Sequence, residues 1–337
     1  MTGAGAPGAA GIIYCLKCDP DVELLVADAH EEAVGKYLAP RFVQIPKGDD
    51  PAFIDVVTGI CMQQHVRVIL PLVSAELPTF SRHKKELEEK GISVLVSSAD
   101  AIAIANHKSN CYRFLREKGI AVPKFAVVNT VDEFIHAAFE LGHPQLPFCF
   151  KPSVSNGSRG VRIVSDSLDE TEQLFNAKPY NLNITYAHAL HILSAKPFPE
   201  LLVSEYLPGD EFSVDCLASH GQMVVAVPRL RSKMINGISV QGRFVRDESM
   251  IQYCTKIIEA TGLHGNIGIQ LKRSKEGRPL LLEINPRVQG TIVAALGAGV
   301  NLPLLAVKQE LGLPISPKEK EVKWGTSFSR YWTEVYY

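Results

Sequence analysis

The sequence predicts a mixed α/β and α+β protein, with a parallel sheet in its first hundred residues and a strand-rich body after them. Three observations carry this expectation. Short apolar runs alternate with helical stretches up to about residue 100, which is the rhythm of βαβ units. Near Pro147 the pattern changes to strand, Gly/Ser loop, strand, which is hairpin-like. The final third holds five further strand-like segments.

Taken in order, residues 22–27, 41–45, 66–72 and 93–97 read as strands, with helical stretches at 51–64 and 77–91 between them. The chain opens with Gly3-Ala-Gly5-Ala-Pro-Gly8, a G-x-G-x-x-G match, and Asp28 follows about twenty residues on, as in a Rossmann-like dinucleotide fingerprint. No apolar run precedes these glycines to serve as the sheet's central strand, and Pro7 stands at the start of the following helix. A tight strand-to-helix turn without a ligand is therefore the plain reading. An NAD-dependent oxidoreductase is the rival that rests on Gly3–Gly8 and Asp28 alone.

Residues 101–119 read as one helix that carries Lys108 and stops at the Gly119-Ile-Ala-Val-Pro123 segment. A strand at 124–128 begins a small lobe, followed by strands at 148–151 and 160–164. Residues 176–199 have no clear period and read as one helix between loops, an insertion or a mobile edge. Strands follow at 201–205, 211–218, 222–228, 267–272 and 279–284, with helices at 249–261 and 291–298.

Composition narrows the partners. With 337 residues, 46% hydrophobic and 21% charged, the chain is expected to be a soluble globular protein of roughly two or three domains. A formal net charge of −1 and the lack of a Lys/Arg-rich run argue against nucleic acid or an anionic membrane as the main partner. No leader-like pattern opens the chain and no apolar run approaches the ~18 residues of a membrane span, so a cytoplasmic location is expected. Seven scattered cysteines suit reduced thiols, and Cys15-Leu-Lys-Cys18 reads as two ordinary helix cysteines because no second pair or suitably spaced His accompanies it.

Two blocks carry chemistry. Lys151 follows the apolar strand 148–150, and Ser153, Ser155, Asn156, Gly157, Ser158 and Gly160 supply donors and backbone freedom to fold N–H groups over phosphate oxygens. In the second block, Glu283 and Asn285 are two apart and leave one face of a strand. If the preceding turn is centred on Glu276-Gly277, antiparallel register sets Gln270 opposite Glu283. Three oxygen donors with one formal charge suit Mg²⁺, which keeps waters and substrate phosphates among its ligands. Arg287, two residues further, points to the same region and can neutralise charge on a transferring phosphoryl group. Glu283 is the lone acid in an otherwise apolar run at 279–284, which is costly in a core unless a cation satisfies it.

A strand breaks at Pro208-Gly209 and resumes, exposing backbone groups that can read an adenine edge, with a carboxylate just beyond able to hold ribose hydroxyls. Arg229, Arg231, Arg243 and Arg246 are candidate substrate contacts. Arg243 is the first choice, because Gly237 and Gly242 suggest a loop able to approach a carboxylate.

In this order and at these separations, Lys108, the Lys151 loop, the 205–211 hinge and the Gln270/Glu283/Asn285 set resemble the ATP-grasp superfamily, in the branch similar to the carbamoyl-phosphate synthase large subunit. The resemblance covers nearly the whole chain. It implies a Rossmann-like pre-ATP-grasp domain at 1–100 and a two-lobed ATP-grasp domain at 101–337, with a small lobe at about 124–205 and a catalytic lobe at about 206–330. It gives Lys108 and Lys151 to the ATP phosphates, Ser153–Gly160 to the closing loop and Glu205–Leu207 to adenine. Glu211 falls on the ribose, Gln270, Glu283 and Asn285 on Mg²⁺ (Mn²⁺ being the alternative), and Arg287 beside an acyl phosphate. The implied activity is an ATP-dependent ligase joining a small-molecule carboxylate to an amine, with ATP as co-substrate and a homodimer as the common assembly. A non-catalytic nucleotide-binding or regulatory protein of the same fold is the alternative, and the intact Glu283, Asn285 and Arg287 weigh against it.

Overall fold

The computed structural model describes all residues except 156, 158 and 177–181. The chain divides into two units: Met1–Asn106, Asp210–Leu271 and Leu282–Tyr337 form the first, and His107–Gly209 with Lys272–Leu281 the second.

The first unit opens with the expected βαβ rhythm. Helix α1 (Ala9–Lys17) is followed by β1 (Leu25–Asp28), β2 (Arg41–Gln44), α2 (Phe53–Gln63), β3 (Val68–Ile69), α3 (Leu77–Glu89), β4 (Ser93–Val94) and α4 (Ala99–Ala105). Strands β1–β2 and β3–β4 pair in parallel. The place expected to lack a strand is bridged by Thr2, which pairs in parallel with both Ala27 and Pro71. Its backbone N–H donates to Leu70, and Ala27 donates to the Met1 carbonyl.

The single helix expected at 101–119 is two. Helix α4 ends at Ala105, His107 is extended, and α5 (Lys108–Glu117) starts afresh, because the Lys108 N–H donates to the Ser153 carbonyl at 2.8 Å. The unit boundary falls at this break.

The second unit is built on a five-stranded sheet. Its elements are α5, β5 (Phe125–Val128), α6 (Val131–Glu140), β6 (Phe148–Pro152), β7 (Arg162–Val164), α7 (Glu170–Asn176), β8 (Asn183–Ile184), α8 (Tyr186–Ala195) and β9 (Leu201–Glu205). Strand order is β5-β9-β6-β7-β8. The β6–β7 pair is the expected hairpin. The 176–199 segment contributes more than a helix, since β8 pairs in parallel with β7 and extends the sheet edge. Phe134, Phe148, Phe150, Val164, Leu201 and Val203 fill the core between this sheet and α6 and α8.

The chain continues with β10 (Glu211–Ser219), β11 (Gln222–Ile235), β12 (Ile238–Phe244), α9 (Glu248–Thr261), β13 (Gly265–Arg273), β14 (Pro279–Asn285), α10 (Ala294–Gly297), α11 (Leu302–Glu310) and β15 (Ser327–Ser329), all in the first unit except the hairpin end of β13 and β14 at 272–281. Six strands run in the order β14-β13-β10-β11-β12-β15. The run around Arg243, expected as a loop, is strand β12. Asn236 (φ 50°) and Gly237 (φ 75°) make the tight turn into it, as an Asn-Gly pair does in a hairpin. Gly242 lies in the strand because a Cβ there would meet the Leu230 carbonyl at 2.5 Å. Helix α11 has no counterpart among the expected elements. One core joins Ile12, Ile13 and Val26 of the N-terminal segment to Leu217, Val227, Leu302 and Leu305, so Met1–Asn106, Asp210–Leu271 and Leu282–Tyr337 pack as one body.

Candidate functional site

The residues singled out by the sequence fall into two clusters, one in each unit. In the second unit, Lys151 is the last residue but one of β6, buried at 9% exposure with its ammonium 5.5 Å from the Tyr112 ring centre. The Tyr112 hydroxyl donates to the Leu281 carbonyl at 2.5 Å, which fixes that ring. Lys108, at the first turn of α5, is equally buried, and its Nζ donates to the Ser155 carbonyl at 2.8 Å and its hydroxyl at 3.3 Å. Ser153 is sealed at 1% exposure, hydrogen-bonded to the Ser109 hydroxyl and donating to Glu200 at 2.6 Å. Thus Ser153 anchors the start of the loop. Gly157 and Gly160 both take positive φ, and a Cβ on Gly160 would meet Pro152 at 2.7 Å, so the return of the loop onto β6 demands glycine there. Asn156 and Ser158 lie outside the described residues.

At the hinge, the Glu205 carboxylate accepts the Lys124 N–H at 2.8 Å, Leu207 is buried, and Lys272 Nζ stands 4.5 Å from the Tyr206 ring centre. The Glu205 side chain thereby ties β9 to the start of β5.

In the first unit, Glu283 and Asn285 are half-buried and flank buried Ile284 on β14, so both leave one face as the period-2 argument requires, while Arg287, also half-buried, lies past the end of the strand, where its N–H donates to the Asn285 carbonyl at 2.8 Å. Glu283 is not the fully buried acid that its apolar run suggested, because it stands on the open face of β14. Asn285 Nδ2 donates to Glu283 Oε1 at 3.2 Å. The hairpin before them differs from the expected turn: Ser274 N–H donates to the Arg278 carbonyl at 2.8 Å around a three-residue loop ending at Gly277. Next to the turn the strands are therefore offset by one residue from a pairing centred on Glu276-Gly277.

Arg231 draws the cluster together. Its guanidinium binds the Glu211 carboxylate, the Gly237 carbonyl, Ser239 Oγ at 3.0 Å and Gln270 Oε1 at 3.2 Å. Burial lowers its pKa, with Glu211 and Glu283 pulling the other way, so Glu283 lies within electrostatic reach. Burial likewise lowers Arg287 against the pull of Glu283. Oxygen donors from Glu283, Asn285 and Gln270 with one formal charge fit a Mg²⁺ site. A cation is already accepted there in the form of Arg231.

The other arginines diverge. Arg229, expected as a substrate contact, is wholly buried at 0% exposure and donates through Nε to Asp215 Oδ2 at 3.2 Å, so its place is the core. Arg243 is exposed on β12 opposite Leu230, and Arg246 pairs with Glu248 at the surface.

Several groups at this cluster escaped the sequence reading. Arg287 Nε donates to Ser74 Oγ at 2.8 Å, across 213 residues of chain. Gln289 is buried with its Nε2 unpaired among the described residues, and it lies where a Cβ on Gly268 would stand, which explains that glycine. Gly8 packs on Gly290, where a Cβ would approach to 2.3 Å. Of the opening glycines, Gly8 therefore serves close packing of the segment after Arg287, while Gly3 lies against Val73 and Gly5 against Asp28 and Ala33. Asp28 is spent on its own loop, accepting the Gly5 N–H at 2.7 Å and the His30 N–H at 2.9 Å, which favours the plain turn over a ribose contact. Only long-range pairing signals could have found these partners.

Among the described residues no helix is long and apolar enough to cross a membrane. The cysteines are unpaired thiols. Cys15 lies buried in α1 with its pKa pushed up to about 12 by burial, and Cys18 is exposed at the helix end.

Residues 197–334 match the family described as ATP-grasp in the biosynthetic pathway with Ter operon, and residues 10–95 match the PylC-like N-terminal domain. The carbamoyl phosphate synthase large chain of Thermomicrobium roseum is 28% identical over 274 residues, covering 78% of this chain and 23% of that one. The chain thus spans under a quarter of that relative's length. Among solved structures, the biotin carboxylase domain of the Hydrogenobacter thermophilus 2-oxoglutarate carboxylase, in complex with MgADP, ADP and bicarbonate, superposes with TM-score 0.67 at 17% identity, covering 95% of this chain and 71% of that one. An L-amino acid ligase from Bacillus licheniformis superposes with TM-score 0.65 at 16% identity, covering 94% and 76%. Both family matches, the relative and the fold agree in likening this chain to the ATP-grasp superfamily, with the carbamoyl phosphate synthase large chain among the proteins it resembles.

Proposed function

We propose that the protein is an ATP- and Mg²⁺-dependent ligase that joins a small-molecule carboxylate to an amine through an acyl phosphate. The observation that carries this reading is the pair of hydrogen bonds, Arg231 to Gln270 and Asn285 to Glu283, with Glu283 acting electrostatically on both Arg231 and Arg287, within an ATP-grasp fold.

Lys108 and Lys151 are read as ligands of the nucleotide phosphates, with the loop from Ser153 to Gly160 closing over them. Their amines are buried and fixed by neighbours, so little side-chain entropy is lost when they meet an anion. Glu205, Tyr206 and Leu207 are read as the adenine edge and Glu211 as the ribose contact. Mg²⁺ at Gln270, Glu283 and Asn285 would supply charge neutralisation to the phosphates.

In the first step a carboxylate oxygen attacks the γ-phosphorus, the bond to the bridging oxygen breaks, and ADP leaves. Arg287 is read as neutralising the transferring group, a reading supported by the Ser74 hydroxyl that accepts from its Nε and fixes the guanidinium. In the second step the amine attacks the acyl carbon and the C–O bond to phosphate breaks. Phosphate departs and the amine gives up a proton. The chain's work is orientation, charge stabilisation and exclusion of water, and no side chain becomes a covalent nucleophile. That one solved neighbour is an L-amino acid ligase favours amino acids among the substrates to try.

Phosphate release from ATP and Mg²⁺ against a panel of amino acids and sugar or hydroxy acids, singly and in pairs, tests the reading. Release that needs one carboxylate together with one amine supports it. Tight ATP binding with no release from any pair would favour a non-catalytic nucleotide-binding role.

A further inference from the structure

We infer that Arg231 is the resident counter-cation of the metal-ligand set, keeping a free divalent ion out until nucleotide arrives. The inference rests on the assignment of Gln270 and Glu283 to the metal, and it adds an order of binding to that assignment. Four groups from four places hold the guanidinium: Glu211 at the start of β10, the Gly237 carbonyl in the β11–β12 turn, Ser239 on β12 and Gln270 on β13. Three of its nitrogens are engaged, which fixes the fork in one orientation.

Gln270 Oε1 is the contested atom. An amide oxygen that accepts from a guanidinium at 3.2 Å must turn, or the guanidinium must leave, before it can coordinate a metal at the shorter distance Mg²⁺ requires. Charge points the same way. Glu283 is the sole acid of the proposed ligand set, and Arg231 and Arg287 both lie within its electrostatic reach. With Glu211 and Glu283 counted against Arg231 and Arg287 the formal charges already balance, so a bare divalent ion finds no excess negative charge, in a place where Arg231 is only 9% exposed and screening is weak. A metal that arrives with a nucleoside triphosphate brings excess negative charge, which accommodates the ion and both arginines. Displacement of Arg231 would also free the Glu211 carboxylate, the group read as the ribose contact, so nucleotide and metal entry are linked through one side chain.

The test is Mn²⁺ titration without nucleotide, read by electron paramagnetic resonance, on the wild-type chain, Arg231→Gln, Arg231→Lys and the double variant Arg231→Gln/Glu283→Ala. Arg231→Gln should bind one Mn²⁺ at least tenfold more tightly than wild type. Arg231→Lys, which keeps the charge, should stay within about threefold of wild type, and the double variant should lose the gain. Equal Mn²⁺ affinity in wild type and Arg231→Gln overturns the inference, as does a gain that survives in the double variant. Should Arg231→Gln fail to fold, Ser239→Ala removes one partner of the guanidinium, and it should tighten Mn²⁺ severalfold; no change there sinks the idea equally. Calorimetry of wild type with ATP and Mg²⁺ reads the nucleotide function apart: no binding there would defeat the ligase reading while the Mn²⁺ result still stands on its own.

Discussion

Arg229 and Arg231 stand two residues apart on β11, and each is bound to an acid of β10, Asp215 and Glu211 respectively. Their surroundings differ. The Arg229–Asp215 pair is sealed at 0% exposure for both residues, and Arg229 Nη1 and Asp215 Oδ1 find no partner among the described residues. Burial raises the Asp215 pKa despite the guanidinium beside it. Arg231 instead reaches toward the half-buried face where Gln270 and Glu283 lie, and its partners are ones a metal or nucleotide could claim. Chemically alike pairs on one ladder thus divide into a structural pair and an exchangeable one. What separates them is access, since a sealed charge has nothing to exchange with.

The largest expected effect breaks the sealed pair. Asp215→Ala leaves a buried guanidinium uncompensated and should cost about 3–5 kcal/mol of stability, read by denaturant unfolding. A loss below about 1 kcal/mol would mean that water reaches Arg229 and that the contrast with Arg231 is false. At the open end, Glu283→Ala should lower Mg²⁺-dependent turnover roughly 10²–10³-fold with the melting temperature nearly unchanged. Retained wild-type turnover would remove Glu283 from the metal set.

A third acid sharpens the comparison, because Glu76 is buried at 5% exposure and is bound by the Thr2 hydroxyl at 2.5 Å where the other two have arginines. Burial raises its pKa to about 7, Asp28 adding to the rise and Thr2 opposing it. The folded state therefore holds its proton more tightly than the unfolded chain. The stabilising contribution is complete below about pH 4.5 and is lost as pH rises through about 7. Glu76→Gln should be the more stable protein at pH 8 by on the order of 1–3 kcal/mol, and the gap should close by about pH 4. Melting curves of both proteins across that range check this; a gap independent of pH would show that Glu76 does not titrate there. The smallest effect falls in the second unit, where Lys151→Ala should weaken ATP binding about tenfold or more by calorimetry. Unchanged affinity would contradict its phosphate role.

Much of the fold was readable because it is written locally. The alternation of apolar runs and helical stretches located β1, β2, α2 and α3 closely, and the strand–loop–strand pattern around Lys151 appears as the β6–β7 hairpin. The elements that were misread depend on distant partners. The helix break at His107 follows from the Lys108 N–H being taken by Ser153, forty-five residues away, and nothing within residues 101–119 announces it. The extension of β11 and the strand β12 were hidden by Gly237 and Gly242, which suggest a loop until the Asn236-Gly237 turn and the close Leu230 carbonyl are seen.

The same division holds at the candidate site. The sequence alone determined that Glu283 and Asn285 share one face, because strand periodicity is a property of consecutive residues. It also determined that a lysine leads into a glycine-bearing loop after an apolar strand. Tertiary structure decided which arginine is sealed in the core and which binds Gln270, that Ser74 holds Arg287, and that Gly8 and Gly268 make room for Gly290 and Gln289. Those outcomes depend on burial and on pairing across as many as 213 to 282 residues, and arginines two positions apart carry no local mark of which will meet solvent.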